Sequence, residues 1–219
     1  MENTNLKKVL DHYDAFLIDQ FGVLINDSGP YEGAVAALNG LFTSSKYPLV
    51  LTNSGKRTSF SVDRLKRMGF VVSVNDVLSS GEVARTVLHE RTKDQVGKRT
   101  KVWVHAHSCL DWPLEGLNVE SAKTIEDADI IVLVATRNES MTLLDYQKLL
   151  GTSATRKVPC LCINPDEKKL INGEIGFSAG AVAQLYKKMG GPVEWIGKPY
   201  PTIYEYALQR LTHVPKKRI

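Results

Sequence analysis

Apolar strand-like segments that end in polar residues alternate with helix-like segments along this chain. Residues 15–18 run directly into Asp19, residues 49–51 run into Thr52, and a later segment ends at Lys198. Such alternation is typical of an α/β fold with a largely parallel sheet. Ligands bind at the carboxyl edge of these sheets. A carboxylate, a hydroxyl and an ammonium group are therefore predicted to meet at one edge.

The pattern extends over 219 residues, a length that suits one domain with an insertion or two small domains. A polar stretch at 98–101 and the Gly-Gly-Pro sequence at 190–192 predict two hinges. We therefore predict a core made of residues 1–83 and 192–219, with an α/β cap formed by residues 84–191. Strands are predicted at 15–19, 48–52, 102–104, 130–134, 159–163 and 193–196, and helices at 31–45, 58–68, 81–91, 141–151, 179–189 and 200–212.

Composition excludes several classes of protein. The net charge of +4 suits small anionic ligands but is too mild to indicate nucleic-acid binding. No apolar stretch approaches the roughly 20 residues of a membrane helix, and no signal peptide is visible, so we expect a cytoplasmic protein without membrane contacts. His105, His107 and Cys109 alternate, but no further ligands are spaced nearby, which favours a polar cluster over zinc.

Three motifs resemble those of the haloacid dehalogenase superfamily when they are read in order. They are Phe-Leu-Ile-Asp-Gln-Phe-Gly-Val-Leu at 16–24, Leu-Thr-Asn-Ser at 51–54 and Gly-Lys-Pro at 197–199. The sequence is more narrowly similar to class IIA, whose α/β cap lies between the second and third motifs, and residues 162–166 and 178–183 resemble its cap signatures. The resemblance spans about residues 12–212 and implies a Rossmann-like parallel-sheet core with an inserted α/β cap.

The resemblance also implies roles for individual residues. Asp19 would be the nucleophile that becomes an aspartyl phosphate, and its carboxylate would also bind Mg²⁺. Thr52, Asn53, Ser54 and Lys198 would hold the phosphate. The implied function is a Mg²⁺-dependent phosphatase, a phosphoric monoester hydrolase that acts on small phosphorylated metabolites.

The remaining implied residues are Asn164 and Asp166, which would contact the substrate, and Phe21, whose backbone carbonyl would ligate Mg²⁺. Phe21 is also a departure, because the family usually has an aspartate there that acts as general acid and base, and a phenyl ring cannot transfer a proton. A second departure is that the fourth motif, an acidic cluster that comes after the next strand in the family, would follow Ile219 and is absent from this sequence. Loss of an acidic ligand weakens Mg²⁺ binding.

These departures predict a weak or inactive enzyme. The missing strand would also leave an apolar sheet edge that favours association, so a homodimer is left open. The rival interpretation is a noncatalytic phosphate-binding or interaction protein, a pseudophosphatase. A nucleotide-binding dehydrogenase is less favoured, because no Gly-x-Gly-x-x-Gly follows the first strand.

Overall fold

The computed structural model describes residues 6–107, 112, 114–171 and 174–219. Within these residues the chain forms two compact units. The first contains the described residues up to 52 together with 58–78 and 204–219, and the second contains 53–57 and 79–203. The domain boundaries at 83/84 and 191/192 stay a prediction, since this division by contacts falls at other positions.

The first unit is built around a three-stranded sheet with the order β1-β4-β5. Strands β1 and β4 are parallel, with Ala15 opposite Tyr47 and Asp19 opposite Leu51. Its elements are α1 (Leu6–His12), β1 (Ala15–Asp19), β2 (Ile25–Asn26), β3 (Gly29–Pro30), α2 (Ala34–Thr43), β4 (Tyr47–Thr52), α3 (Thr58–Arg67) and β5 (Val77–Ser79).

Strand β4 is buried from Pro48 to Thr52, whereas β1 is buried only at Ala15 and is half-buried from Phe16 to Ile18. The difference follows from the strand order, because β4 lies between two neighbours and β1 lies at the edge. The core of this unit packs the sheet against α2 and α3 through Leu24, Ile25, Leu38, Val50, Val62, Leu65, Phe70, Val72 and Val77. Burial of such side chains is the main stabilising contribution, about 1.5–3 kcal/mol each.

The start of β1 is anchored by an ion cluster. Arg218 donates from Nε and Nη2 to the two carboxylate oxygens of Asp14 at 2.8 Å each, and the Lys46 ammonium lies 3.3 Å from Asp14 Oδ1. The hydrogen bonds from Arg218 lower the pKa of Asp14 to about 2. This cluster fixes the residue that immediately precedes the strand leading to Asp19.

The second unit contains a five-stranded sheet with the order β12-β9-β8-β6-β7. Its pairs are parallel, which confirms the predicted α/β class. Its elements are α4 (Ser80–Thr92), β6 (Thr100–His105), β7 (Val119–Ser121), β8 (Ile130–Leu133), α5 (Leu143–Thr155), β9 (Cys160–Cys162), the hairpin β10 (Lys168–Ile171) and β11 (Glu174–Phe177), α6 (Ala179–Lys188) and β12 (Val193–Trp195). Helix α7 (Pro201–Arg210) begins in this unit and continues in the first, which also holds the short 3₁₀ helix Lys216–Arg218.

Local capping explains where two helices of the second unit begin. The Ser79 hydroxyl accepts from the Glu82 backbone N–H at 3.2 Å at the start of α4. Thr142 and Asp145 form a reciprocal capping box at the start of α5. Each arrangement satisfies backbone donors that the first turn leaves without intrahelical partners. No helix in the described part of the chain is both long and apolar enough to cross a membrane.

Candidate active site

The carboxyl edge of the first unit's sheet carries two of the three residues predicted to meet at one edge. The prediction is wrong for Lys198, which follows β12, a strand of the second unit's sheet. Asp19 ends β1 opposite Leu51, and Thr52 follows Leu51 at the end of β4. Because these strands are parallel, both residues lie at the same edge. Asp19 is exposed, whereas Thr52 is 6% exposed. An exposed carboxylate and a buried threonine therefore end two neighbouring strands at this edge.

The loop after Asp19 is folded tightly by backbone hydrogen bonds. The Gln20 N–H donates to Asp19 Oδ1 at 2.7 Å, which orients the carboxylate. The Gln20 carbonyl accepts from Leu24 N at 2.9 Å and from Ile25 N at 3.1 Å. Gly22 has a φ of 89°, a conformation that glycine adopts without steric cost. The loop therefore turns back at once and leaves the residue at position 21 at the surface.

The Phe21 ring packs against a cation. It is 46% exposed, and the Arg64 guanidinium carbon lies 5.7 Å from the ring centroid. Arg64 also donates from Nη2 to the Asn26 carbonyl at 3.3 Å. A guanidinium at this distance from an aromatic face makes a favourable cation–π contact. The position where proteins of the resembled family usually have an acid thus carries an aromatic ring that is stabilised by a positive charge.

In the second unit, the Asn53 side chain binds two other predicted site residues. Its Nδ2 donates to Asp166 Oδ1 at 3.0 Å and to the Lys198 carbonyl at 2.9 Å. Its Oδ1 accepts from the Lys198 backbone N–H at 2.7 Å and from the Ser80 hydroxyl at 3.4 Å. One carboxamide therefore connects three loops that are far apart in sequence.

The loop that follows β9 is ordered by its own polar groups. Asn164 Oδ1 accepts from the Asp166 N–H at 2.9 Å, which makes the turn that Asn-Pro-Asp sequences favour. The Cys162 thiol donates to the Asn164 carbonyl at 3.3 Å. Burial raises the pKa of this thiol well above its ordinary value, so it stays protonated as a donor. The Asp166 carboxylate is thereby held at the surface beside Asn53.

Glycines allow these loops to approach closely. A Cβ on Gly197 would lie 2.6 Å from Asn53 Oδ1, 2.6 Å from Pro165 Cδ and 2.7 Å from Ser80 Oγ. A Cβ on Gly180 would lie 2.7 Å from the Asp166 carbonyl, and one on Gly81 would lie 2.5 Å from the Lys56 carbonyl. These three glycines were not predicted as site residues. Gly180 and Gly197 lie within the motif segments 178–183 and 197–199 and were the signal that could have shown the close approach, whereas Gly81 lies outside the motifs.

Ser54 uses main-chain and side-chain groups in the same region. Its carbonyl accepts from the Gly81 N–H at 3.0 Å, and its hydroxyl accepts from the Lys56 N–H at 3.3 Å. The backbone N–H of Ser54 lies two residues after Thr52 in the sequence. The segment after β4 is therefore anchored to the start of α4 within the second unit.

The donors for a divalent metal are few. Among the described residues, no group of three or more His, Cys, Asp and Glu side chains could hold a metal ion. The predicted ligands are one carboxylate, from Asp19, and one carbonyl, from Phe21. This set fits Mg²⁺, which usually takes one or two carboxylates and completes its octahedral shell with waters and substrate phosphate. It does not fit zinc, which takes nitrogen and sulfur ligands.

Of the three residues considered for zinc, His105 belongs to a buried hydrogen-bond network, His107 is exposed, and Cys109 lies outside the described residues. The Arg137 backbone N–H donates to the Tyr146 hydroxyl oxygen at 2.9 Å, so the hydroxyl proton is directed at His105 Nε2, 2.7 Å away. Burial, with the charges of Arg137 and His107, lowers the pKa of His105 to about 4. His105 is therefore a neutral core residue.

Part of the sequence matches a known family model. Residues 16–120 match the family model of the haloacid dehalogenase-like hydrolases. The match covers the segment that contains Asp19, Phe21, Thr52, Asn53 and Ser54, and it ends before Lys198. A comparison with curated protein sequences gave no match.

Solved structures of haloacid dehalogenase-like proteins share the fold. A haloacid dehalogenase-like hydrolase from Brucella suis 1330 is similar with a TM-score of 0.82 and 29% identity, over 98% of this chain and 79% of that chain. A p-nitrophenyl phosphatase from Archaeoglobus fulgidus has a TM-score of 0.73 and 20% identity, over 91% and 74%. A glycerol phosphate phosphatase from Mycobacterium tuberculosis, solved in complex with magnesium, has a TM-score of 0.71 and 19% identity, over 93% and 60%. The chain therefore has the haloacid dehalogenase fold.

Proposed function

We propose that this chain is a class IIA haloacid dehalogenase-like phosphatase that acts on small phosphorylated metabolites through an aspartyl phosphate. The observation that carries the proposal is the exposed Asp19 carboxylate at the carboxyl edge of the sheet, beside the buried Thr52. The family match over residues 16–120 and the solved phosphatases of the same fold support it. Fold alone does not assign a function, so the site residues carry the chemistry.

In the proposed reaction, an Asp19 carboxylate oxygen attacks the phosphorus of the monoester. The new O–P bond forms as the bond to the leaving oxygen breaks, and the alcohol leaves with a proton from solvent. Water then attacks the phosphorus of the aspartyl phosphate and releases inorganic phosphate and Asp19. The hydrogen bond from the Gln20 N–H to Asp19 Oδ1 supports this role, because it restrains the carboxylate that would attack.

The phosphate oxygens are assigned to hydrogen-bond donors and a cation. We propose that the Thr52 hydroxyl and the backbone N–H groups of Asn53 and Ser54 bind them, and that the Lys198 ammonium neutralises their charge. Fixed donors of this kind supply most of the catalysis in phosphoryl transfer. Asn164 and Asp166 are proposed to contact the rest of the substrate.

Asp19 and the Phe21 carbonyl are proposed to hold Mg²⁺. When bound, the ion would neutralise charge on the phosphate and the carboxylate. We further propose that turnover is slow, because Phe21 cannot protonate the leaving oxygen and cannot accept a proton from the attacking water. Substrates with good leaving groups, such as aryl phosphates, should therefore react faster than alkyl phosphates.

The second candidate function is a pseudophosphatase that binds a phosphate-bearing ligand without turning it over. The observation that favours it is the Phe21 ring held by Arg64, at the position where the family usually has an acid. A pseudophosphatase of this kind would keep the groups that donate hydrogen bonds to a phosphate and would lack only the proton transfer. The two candidates differ in whether a covalent phosphate forms on Asp19.

Rapid mixing with p-nitrophenyl phosphate and Mg²⁺ tests the proposal. We expect a burst of nitrophenol and an acid-stable, hydroxylamine-sensitive phosphoenzyme, because phosphorylation of Asp19 should outpace its hydrolysis. Asp19→Asn should abolish both, while Asp63→Asn, an exposed aspartate on α3, serves as the matched control. Multiple turnovers that survive Asp19→Asn would refute the proposal. Phosphate binding without any phosphoenzyme would favour the pseudophosphatase.

A further inference from the structure

The hydrogen-bonding capacity of the Asn53 side chain is fully used within the second unit. A carboxamide has two N–H donors and one oxygen with two lone pairs. The two donors go to Asp166 Oδ1 and the Lys198 carbonyl, and the oxygen accepts from the Lys198 N–H and the Ser80 hydroxyl. No side-chain donor of Asn53 is therefore left for a phosphate oxygen.

Two of the four bonds go to a single residue. The N–H and the carbonyl of Lys198 are both bound by the same side chain, at 2.7 and 2.9 Å. Fixing both polar groups of one residue restrains its φ and ψ angles, and with them the direction in which its side chain leaves the main chain. The site therefore controls where the Lys198 ammonium can reach.

The space around Asn53 is too small for a side chain longer than that of asparagine. Gly197 approaches so closely that even a Cβ there would lie 2.6 Å from Asn53 Oδ1. Glutamine would need room for another methylene. Aspartate would lose both donors and would set a second carboxylate against Asp166. The arrangement thus requires an asparagine with these four partners.

We infer that Asn53 is a positioning residue whose side chain sets the place of Lys198, while its backbone N–H remains a phosphate donor. The Asp166 bond attaches the loop of residues 164–166 to the same carboxamide. The inference rests on the proposed function, in which the Lys198 ammonium neutralises the phosphate. It differs from a direct phosphate-binding role for the Asn53 side chain, and the two can be separated.

Nuclear magnetic resonance of the full chain, titrated with inorganic phosphate, tests the contacts. The backbone amides of Asn53 and Ser54 should shift, while the Asn53 side-chain amide should exchange slowly with water and stay nearly unshifted. A side-chain amide that exchanges fast, or that shifts more than the backbone amide, overturns the inference. If no signal shifts, the phosphate site of the proposed function is refuted. The exchange rate of the Asn53 side-chain amide still tests whether its hydrogen-bond partners hold it.

A double-mutant cycle on phosphoenzyme formation tests the action through Lys198. Asn53→Ala should slow phosphorylation about tenfold or more in the parent, and less than about twofold in a Lys198→Ala background, because the group it positions is then absent. If the two substitutions slow phosphorylation by independent factors that multiply in the double variant, the inference is overturned.

Asn39→Ala is the matched control for this cycle. Asn39 likewise joins two segments, donating to the Gly69 carbonyl at 3.1 Å and accepting from the Val71 N–H at 2.8 Å in the first unit. It should lower the melting temperature without slowing phosphorylation. An equal rate loss from Asn39→Ala would show that the Asn53 effect is only structural.

Discussion

Replacing Phe21 with aspartate tests whether a missing proton donor limits turnover. The ring is 46% exposed, so its removal opens no buried cavity. The cation–π contact with Arg64 that is lost is worth about 0.5–1 kcal/mol. Because a positioned acid or base typically contributes on the order of 10²- to 10⁴-fold, we expect Phe21→Asp to speed hydrolysis of the phosphoenzyme by ~10²-fold or more.

Arg64 should modify this gain. The Arg64 guanidinium carbon lies 5.7 Å from the ring centroid. Two unit charges roughly 6 Å apart interact by about 3 kcal/mol at an effective dielectric constant of ~20 and by about 0.7 kcal/mol in water. Since both side chains are partly exposed, the interaction is closer to about 1 kcal/mol, and it lowers the pKa of the new carboxyl. The basic form that accepts a proton from water is then present at lower pH. Arg64→Gln in the Phe21→Asp background should therefore shift the rising limb of the pH profile to higher pH.

The assay follows decay of the phosphoenzyme after a chase with unlabelled substrate, as a function of pH. Phe21→Asn is the control, because it has nearly the shape of aspartate and cannot transfer a proton. If Phe21→Asn accelerates decay as much as Phe21→Asp does, removal of the ring is the cause and the reasoning about proton transfer is refuted.

Two further predictions concern stability. Because the folded state holds His105 neutral with a pKa near 4 against an ordinary value of 6.5, the parent should lose stability as pH falls from about 6.5 toward 4; urea unfolding should show a flatter profile for His105→Gln, and parallel profiles would contradict this. Gly197→Ala should cost about 1–3 kcal/mol by overpacking against Asn53. Its control is Gly151→Ala, where the added Cβ meets only Met189 Cε at 3.9 Å, and equal unfolding free energies for the two variants would refute the close approach.

The elements that sequence reasoning located have a strong apolar pattern of their own. The strand predicted at 48–52 is observed as Tyr47–Thr52, and the helix predicted at 179–189 is observed as Ala179–Lys188. The strand buries a continuous run of residues, and the helix buries one periodic face. These are the patterns that hydrophobic periodicity reveals in a sequence. The hairpin of β10 and β11 was not predicted. Its cross-strand pair Leu170 and Ile175 is 65% and 72% exposed, so the sequence shows no core-facing alternation there.

Sequence reasoning likewise located some parts of the candidate site and missed others. Asp19 and Thr52 were visible because each ends an apolar strand. The partners of Asn53 were not visible, because Asp166 and Lys198 lie 113 and 145 residues away in sequence. No local pattern specifies a pairing over such separations. The requirement for glycine at 197 likewise arises only where the folded loops meet.

The five residues 53–57 belong by contact to the second unit, although the first unit flanks them on both sides in sequence. The gene therefore encodes this module in two separate pieces. Recombination between relatives at a single pair of cut points, near 79 and 203, would transfer the sheet and its helices but leave Asn53 behind. A second unit exchanged in that way would depend on the recipient to supply an asparagine that fits the incoming loops. Exchange of this unit between related proteins is thus constrained by one short peptide outside the exchanged segment.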